Sequence, residues 1–333
     1  MARGRVYNRT FNEQDWKLVC KENKNLIEDF CIEMKSNRKK ESTIKQYKND
    51  LRIIAIYVLK ELGNKPIIEL NKKHFRNINL WFMNELNLSP ARCNRLMSAV
   101  RSMLEFAEND DDYDYDVNHA KKIKGVAKEE VRDIVFLTDK QITKLRVELK
   151  RREMYAHLLL LDLSYDSAGR RNEVYQVMKE GLTERNNTNI VIGKRGKKFP
   201  LLYFDRTHES LELFLNQRGE DEHPQLWVTR SGNTKRAVAY NTLYQWTVQM
   251  ADILSRLEGK PILFNPHSLR HSALENMKNG THYMCRKLGK PDGFSLEELK
   301  VYAHHESVET TMGYLRRDDD NVLENMFSIK IDK

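Results

Sequence analysis

Between residues 42 and 63 apolar side chains return every three or four positions, at Ile44, Tyr47, Leu51, Ile54, Val58 and Leu62, and the pattern closes at Gly63. That period lines one face of a helix, and Ser42 is placed as its N-cap. The same rule finds a helix around Leu26, Phe30 and Met34. It finds another over Asn71–Leu86, with Phe75, Ile78, Phe82 and Leu86 on one face. Ser89-Pro90 opens a further one, because proline in a first turn sacrifices no helical hydrogen bond. Leu96, Val100, Met103, Leu104 and Ala107 form its inner face. Four amphipathic helices so close in sequence can bury their stripes only against one another. The expectation is a small helical domain over 21–109, preceded by a basic segment over 1–20 in which no helix is expected.

A change of composition ends that domain. Asn109–Asp116 holds Asp110, Asp111, Asp112, Asp114 and Asp116, and then Lys121, Lys122, Lys124 and Lys128 reverse the sign. Residues 110–135 therefore read as an interdomain linker, with Thr138 capping the first helix of a second domain over 136–313. Met154–Leu163 is apolar nearly all round and predicts a buried helix. Asn189–Ile192, a turn at Gly193–Lys198 and Phe199–Phe204 read as a β-hairpin. Leu226–Val228 reads as one more short strand, and helical patterns follow at Tyr240–Leu257, His267–Lys278 and Ser295–His304. The fold class expected is mainly α: a four-helix domain, then a mixed, mostly α domain with one small antiparallel sheet. Residues 314–333 form a tail in which Met326-Phe327-Ser328-Ile329 is apolar enough to dock on a neighbouring copy.

Charge narrows the partners. The 333 residues carry Lys+Arg 57 against Asp+Glu 48, a net +9. With 40% hydrophobic residues the chain has enough apolar surface for real cores, which excludes wholesale disorder. The apolar run at Leu158–Leu161 is far too short to span a bilayer. Met1–Arg5 is basic without an apolar run behind it, and Cys20, Cys31, Cys93 and Cys285 are widely spaced. A cytoplasmic protein with reduced thiols is expected, with no membrane contact and no zinc site. Two basic helix faces in the first domain are candidates for DNA contact: Arg38, Lys39, Lys40, Lys45 and Lys48 on one, Arg92, Arg95 and Arg101 on the other.

No Walker loop, no G-x-G-x-x-G after a strand, no H-E-x-x-H and no tight carboxylate cluster occurs in the sequence. Chemistry on phosphates would have to rest on side-chain cations. Four local features suit that: Arg170 with Glu173 three residues on, Lys194 in the hairpin turn, His267 and Arg270 one helical turn apart, and His305 nine residues before Tyr314. Taken singly each is more often structural, since an Arg beside a Glu is usually an ion pair and a lone C-terminal Tyr is usually packing.

In this order the features resemble the tyrosine recombinases, the phage-integrase family. Arg170 with Glu173 resembles the family's T-G-[LM]-R-x-x-E box, and Gly193-Lys194 before Phe199-Pro200-Leu201 resembles its hairpin lysine and V-P-L strand. His267-Ser268-Leu269-Arg270-His271 matches H-x-L-R-H, and Ala303–Tyr314 resembles L-G-H-s-s-x-x-T-T-x-x-Y. Ser42-Thr43-Ile44, Tyr47, Asp50-Leu51 and Asn94-Arg95, Ala99-Val100-Arg101 resemble the family's SAM-like core-binding domain. The resemblance spans roughly Leu26 to Tyr314. The chain departs from the pattern at Gly169, where the family has Leu or Met, and by about a dozen extra residues within Asn279–Phe294. Arg171, Lys197, Lys198 and His304 compete with their neighbours for the motif positions; Glu173 favours Arg170, and the nine-residue step favours His305.

The resemblance implies a site-specific recombinase or integrase of a mobile element that cleaves and rejoins DNA through a 3′-phosphotyrosyl link. Tyr314 would be the nucleophile and His267 the base. Arg170, Arg270 and His305 would hold the phosphate, with Lys194 as general acid and Glu173 orienting the arginine box. The link conserves the phosphodiester energy, so no cofactor and no metal is implied. The implied partner is double-stranded DNA with a specific site, bound by a chain that is monomeric in solution and tetrameric on synapsed, nucleoid-associated DNA. An accessory DNA-bending or directionality factor is a further implied partner. The expected surplus charge faces the DNA, with the Asp110–Asp116 run held away from it. A type IB topoisomerase or telomere resolvase shares this chemistry, and a non-catalytic DNA-binding regulator is the reading from another class.

Overall fold

The computed structural model describes residues 6–127, 134–182, 186–231 and 234–316. The chain divides into two compact units, Met1–Arg132 and Asp133–Lys333. Each has its own hydrophobic core. No helix among the described residues is long and apolar enough to cross a membrane.

The first unit holds α1 (Val6–Thr10), α2 (Glu13–Leu18), α3 (Lys21–Ser36), α4 (Glu41–Glu61), α5 (Lys72–Asn84) and α6 (Pro90–Glu108). The four amphipathic stripes are α3 to α6; Leu26, Leu51, Ile54, Phe75, Phe82, Leu96 and Val100 are buried in the core, while Ile44, Tyr47, Leu62 and Leu86 pack partly buried against it. Asn71 caps α5 through a reciprocal bond with His74. The start of α4 corrects the sequence reading: it begins at Glu41, so Ser42 lies inside the helix and Lys40 takes the N-cap position without a side-chain bond. Helix also begins earlier than expected, because α1 and α2 fold onto this unit through Phe11 and Trp16. The Arg52 guanidinium lies 4.7 Å from the Trp16 ring. Beyond α6 the chain stays with the same core, where Tyr113, Tyr115, Ala120, Ile123 and Val126 pack.

The second unit opens with α7 (Asp139–Arg151), capped by Thr138 through a capping box with Gln141. The Leu-rich segment forms α8 (Tyr155–Ser167), with Leu158, Leu159, Leu160, Leu161 and Leu163 all buried. It then follows α9 (Arg171–Tyr175), β1 (Asn187–Ile192), β2 (Lys198–Leu202), α10 (Asp205–Arg218), β3 (Val228–Ser231), β4 (Thr234–Ala237), α11 (Thr242–Glu258), α12 (Pro266–Lys278), α13 (Tyr283–Lys287), α14 (Leu296–Tyr302) and α15 (Val308–Met312). Helix α8 is the central post, packed on by α7, α10, α11 and α12. A helix apolar on every side can be stable only there. The expected hairpin is β1 and β2, antiparallel with Ile192 opposite Lys198. A second two-stranded sheet, β3 with β4, corrects the expectation of a single small sheet. The tail from Asp318 to Lys333, with its apolar Met326–Ile329 stretch, lies outside the described residues.

The extra residues within Asn279–Phe294 form a brace. They carry α13, whose Tyr283 hydroxyl donates to the buried Asp166 carboxylate on α8 at 2.7 Å. Arg286 donates to Asp139 on α7 at 2.6 Å. The Arg206 guanidinium of α10 lies 3.9 Å from the Tyr283 ring and 3.3 Å from Asp139. Burying a carboxylate is expensive unless it is hydrogen-bonded, and the insert adds donors to two acids already held by Thr207 and Phe204 at Asp166 and by Tyr165 and Arg206 at Asp139. Replacing Tyr283 by Phe removes a donor from Asp166 and is expected to destabilise the protein by roughly 1–3 kcal/mol. A urea midpoint unchanged from wild type would contradict the brace.

Candidate active site

Helix α8 stops because Ala168 turns into the left-handed region (φ 47°). The Ser167 hydroxyl accepts from the Gly169 amide at 3.0 Å. A Cβ at 169 would sit 2.9 Å from Ser167 Oγ, 3.0 Å from Val174 Cγ2 and 3.3 Å from Leu201 Cδ1, so these side chains would have to yield to a larger residue. The next residue, Arg170, occupies the N-cap position of α9, and its amide and guanidinium both donate to Glu173, at 2.8 and 3.0 Å. Burial disfavours the charge on Arg170, but Glu173 and then Tyr314 more than offset it and hold the pKa above the ordinary arginine value.

Arg270, on α12, is only 1% exposed. It donates to the Ala168 carbonyl, to the Ala303 carbonyl at 2.8 Å and to His305 Nε2 at 2.6 Å. Its Nε is buried and has no hydrogen-bond partner among the described residues. Burial and the nearby Arg170 lower its pKa to about 10, which leaves it charged at neutral pH. Because Nε2 of His305 accepts, its proton sits on Nδ1, which donates to Thr311 Oγ1 at 2.9 Å. His304, the competing histidine, has φ 54° and stacks on Phe199 at 3.8 Å.

Tyr314 lies over this cation, with the Arg270 guanidinium carbon 4.9 Å from its ring centre. The ring is flanked by His267 at 5.1 Å, His271 at 4.7 Å and His305 at 4.9 Å. His271 Nδ1 donates to the Tyr314 carbonyl at 2.7 Å and so fixes its backbone. In the sequence His271 closes the H-x-L-R-H match but is given no role; its place four residues after His267, on the same helix face, is the signal. Burial, then the neighbouring cations, push His305 down to about 3. His267 falls to about 4 through crowding by protein atoms, then His271, Arg270 and Arg170, although one side of it stays open to solvent. Both rings are therefore neutral at pH 7.

The β1–β2 hairpin supplies the opposite wall. A cleft of about 220 Å³ is lined by Arg170, Lys194, Lys197, His304, His305 and Tyr314 together with hairpin and α15 residues. Lys194 and Lys197 both reach it, and Lys198 does not. Gly193 keeps the hairpin close, since a Cβ there would sit 2.7 Å from the Phe199 ring and 3.2 Å from Glu173 Oε1. At the tip Arg195 pairs with Glu306. The cleft can hold a tetrahedral anion between fixed cations, beside a phenol.

In the first unit the sequence-selected cations divide. Arg92 makes a bidentate pair with the buried Asp50, at 2.9 and 2.5 Å, which joins α6 to α4. Arg101 donates to the Ala120 and Ile123 carbonyls at 3.1 and 2.8 Å. Lys48 pairs with Glu28. Arg38, Lys39, Lys40 and Lys45 are exposed, and so is Arg95, 3.7 Å from Asp50.

A histidine whose folded pKa lies below the ordinary value of about 6.5 leaves the unfolded chain binding more protons below that pH. Its contribution to stability is present above about 6.5 and lost as pH falls toward the folded value. Asp162, which burial raises to about 7, titrates in the same window with the opposite sign. Comparing His305→Asn with wild type cancels Asp162 and every other group. The variant is expected to lose less stability between pH 6.5 and 4.5, read from urea midpoints; parallel curves would contradict a buried neutral His305.

Comparison with known proteins was made on sequence and on structure. Neither a family model nor a curated protein matches the sequence. Solved structures do match the fold. The Tn1549 transposon integrase in complex with transposon right end DNA is similar at a TM-score of 0.66 and 12% identity, over 91% of this chain and 98% of that one. The XerH site-specific recombinase bound to palindromic difH substrate is similar at 0.66 and 16%, over 90% and 83%. A lambda integrase tetramer bound to a Holliday junction is similar at 0.64 and 14%, over 88% and 76%. The chain has the fold of the tyrosine recombinases.

Proposed function

We propose that the chain is a site-specific DNA recombinase that cuts and rejoins strands through a 3′-phosphotyrosyl link to Tyr314. One observation carries the reading: the Tyr314 ring rests on the buried Arg270 guanidinium and, with Arg170, Lys194 and His305, lines one cleft. Attack on a phosphodiester increases negative charge on the non-bridging oxygens, and two fixed guanidiniums stabilise that change before it occurs. The unpartnered Nε of Arg270 is a donor that a bound oxygen satisfies. The phosphate charge raises the depressed pKa values of His267 and His305, which suits His267 to take the phenolic proton and His305 to donate to an oxygen. Lys194 gives a proton to the leaving 5′ oxygen, and Glu173 fixes Arg170.

The partner in this reading is double-stranded DNA with a specific site. Exposed Arg38, Lys39, Lys40, Lys45 and Arg95 contact its phosphates, while Lys48, Arg92 and Arg101 steady the first unit through their internal partners. The tetramer reported for lambda integrase on a Holliday junction supplies the assembly proposed for synapsed sites.

Covalent capture on fragmented genomic DNA tests the reading. The wild-type protein is expected to retain, after denaturation, fragments sharing a recurrent break point, and Tyr314→Phe to retain none. Adducts from Tyr314→Phe would reject this nucleophile. Scattered adducts without a common sequence would favour a topoisomerase.

The recovered sequence also tests the acid. Lys194→Ala is expected to lose about 10²–10⁴ in cleavage rate on the natural link. It should regain rate when the bridging 5′ oxygen is replaced by sulfur, because a thiolate leaves without a proton. Equal loss on both substrates removes Lys194 from the role.

A further inference from the structure

Arg171 follows Arg170 directly but turns away from the cleft. Its guanidinium carbon lies 4.1 Å from the Tyr240 ring centre and 5.5 Å from that of Tyr244. Tyr240 precedes α11 and Tyr244 lies in its first turn; they are 39% and 40% exposed. The platform is braced from below. Tyr175 meets Tyr240 edge to face at 5.3 Å and donates its hydroxyl to the Val238 carbonyl at 3.0 Å.

The chemistry of this group is unspent. Among the described residues neither the Arg171 guanidinium nor the Tyr240 and Tyr244 hydroxyls have a hydrogen-bond or carboxylate partner. Most arginines of the second unit are otherwise engaged: Arg146 with Asp162, Arg206 and Arg286 with Asp139, Arg218 with Asp221. A planar cation lying on aromatic faces keeps its N–H edge free for an oxyanion. Holding it there before binding removes much of the rotamer entropy that ordering an arginine ordinarily costs.

Resting on the proposed function, we propose that Arg171, on its Tyr240–Tyr244 platform, binds a phosphate of the cleaved strand flanking the one held by Arg170. Arg170 lines the cleft and Arg171 lies outside it on the tyrosines, so adjacent residues present two separate cation edges to one backbone. Arg171 is a positioning residue: it sets which phosphate enters the cleft and leaves the reacting atoms to Arg170, Arg270 and Tyr314.

Salt dependence separates this role from a structural one. Each phosphate contact contributes about 0.9 to the slope of log K against log salt on duplex DNA. On a random-sequence duplex, Arg171→Gln is expected to lower the slope by about 0.9 while the circular dichroism spectrum and unfolding midpoint stay those of wild type. The Tyr240→Leu/Tyr244→Leu double variant keeps the charge, so it should keep the slope and bind several-fold more weakly. An Arg171→Gln slope equal to that of wild type overturns the contact, and unchanged affinity in the double variant overturns the platform. A wild-type protein that binds no duplex overturns the recombinase reading itself.

Discussion

A guanidinium that is 1% exposed must find its acceptors inside the protein, and Arg270 finds them on two separate stretches of chain. It holds the Ala168 carbonyl where α8 ends, the Ala303 carbonyl where α14 ends, and the His305 ring between α14 and α15. The turn that presents Arg170 and the turn that presents His305 are thereby fixed to one side chain. Tyr314 completes the set by lying on the cation, and His271 pins its carbonyl. Removing the arginine would leave buried carbonyls without donors as well as an uncovered tyrosine, so the stability of this region and its chemistry share one cause.

Concentrating cations creates its own difficulty, which the histidines ease by staying neutral. His267, His271, His304 and His305 all have pKa values below the ordinary range. For the last three the chief cause is burial; for the solvent-open His267 it is crowding by protein atoms and then neighbouring charged groups. The free site therefore carries its positive charge on Arg170, Arg270 and the hairpin lysines. An arriving anion changes the balance, since it favours the protonated rings. Glu173 works in the opposite sense, lying under Arg170 at 3.0 Å and keeping one guanidinium compensated.

Much of this was legible in the sequence because it depends on local spacing. The three-residue step from Arg170 to Glu173 appears as a carboxylate that accepts from both the Arg170 amide and its guanidinium, and the four stripes before residue 109 appear as α3 to α6. The choice between His304 and His305 rests on spacing; in the fold His305 meets Arg270, while the left-handed turn at His304 sends that ring onto Phe199. What escaped depends on distant partners. The insert after α12 has no visible purpose until Tyr283 meets Asp166, 117 residues away, and Arg286 meets Asp139, 147 residues away. Arg92 reads as a surface cation because nothing local shows that Asp50 is buried opposite it. The β3–β4 hairpin, Val228–Ala237, has polar residues where an alternating strand would show apolar ones.

The central claim is that Tyr314 serves the arginines of its own chain. Mixing Arg170→Gln and Tyr314→Phe, each expected to be inactive, tests it on DNA that the wild-type protein is expected to capture covalently. If the tyrosine acts only with the arginines of its own chain, the mixture forms no adduct, because each chain lacks one half of the site. Adducts in the mixture would mean that a tyrosine from one copy reaches the arginines of another, and would contradict the arrangement described.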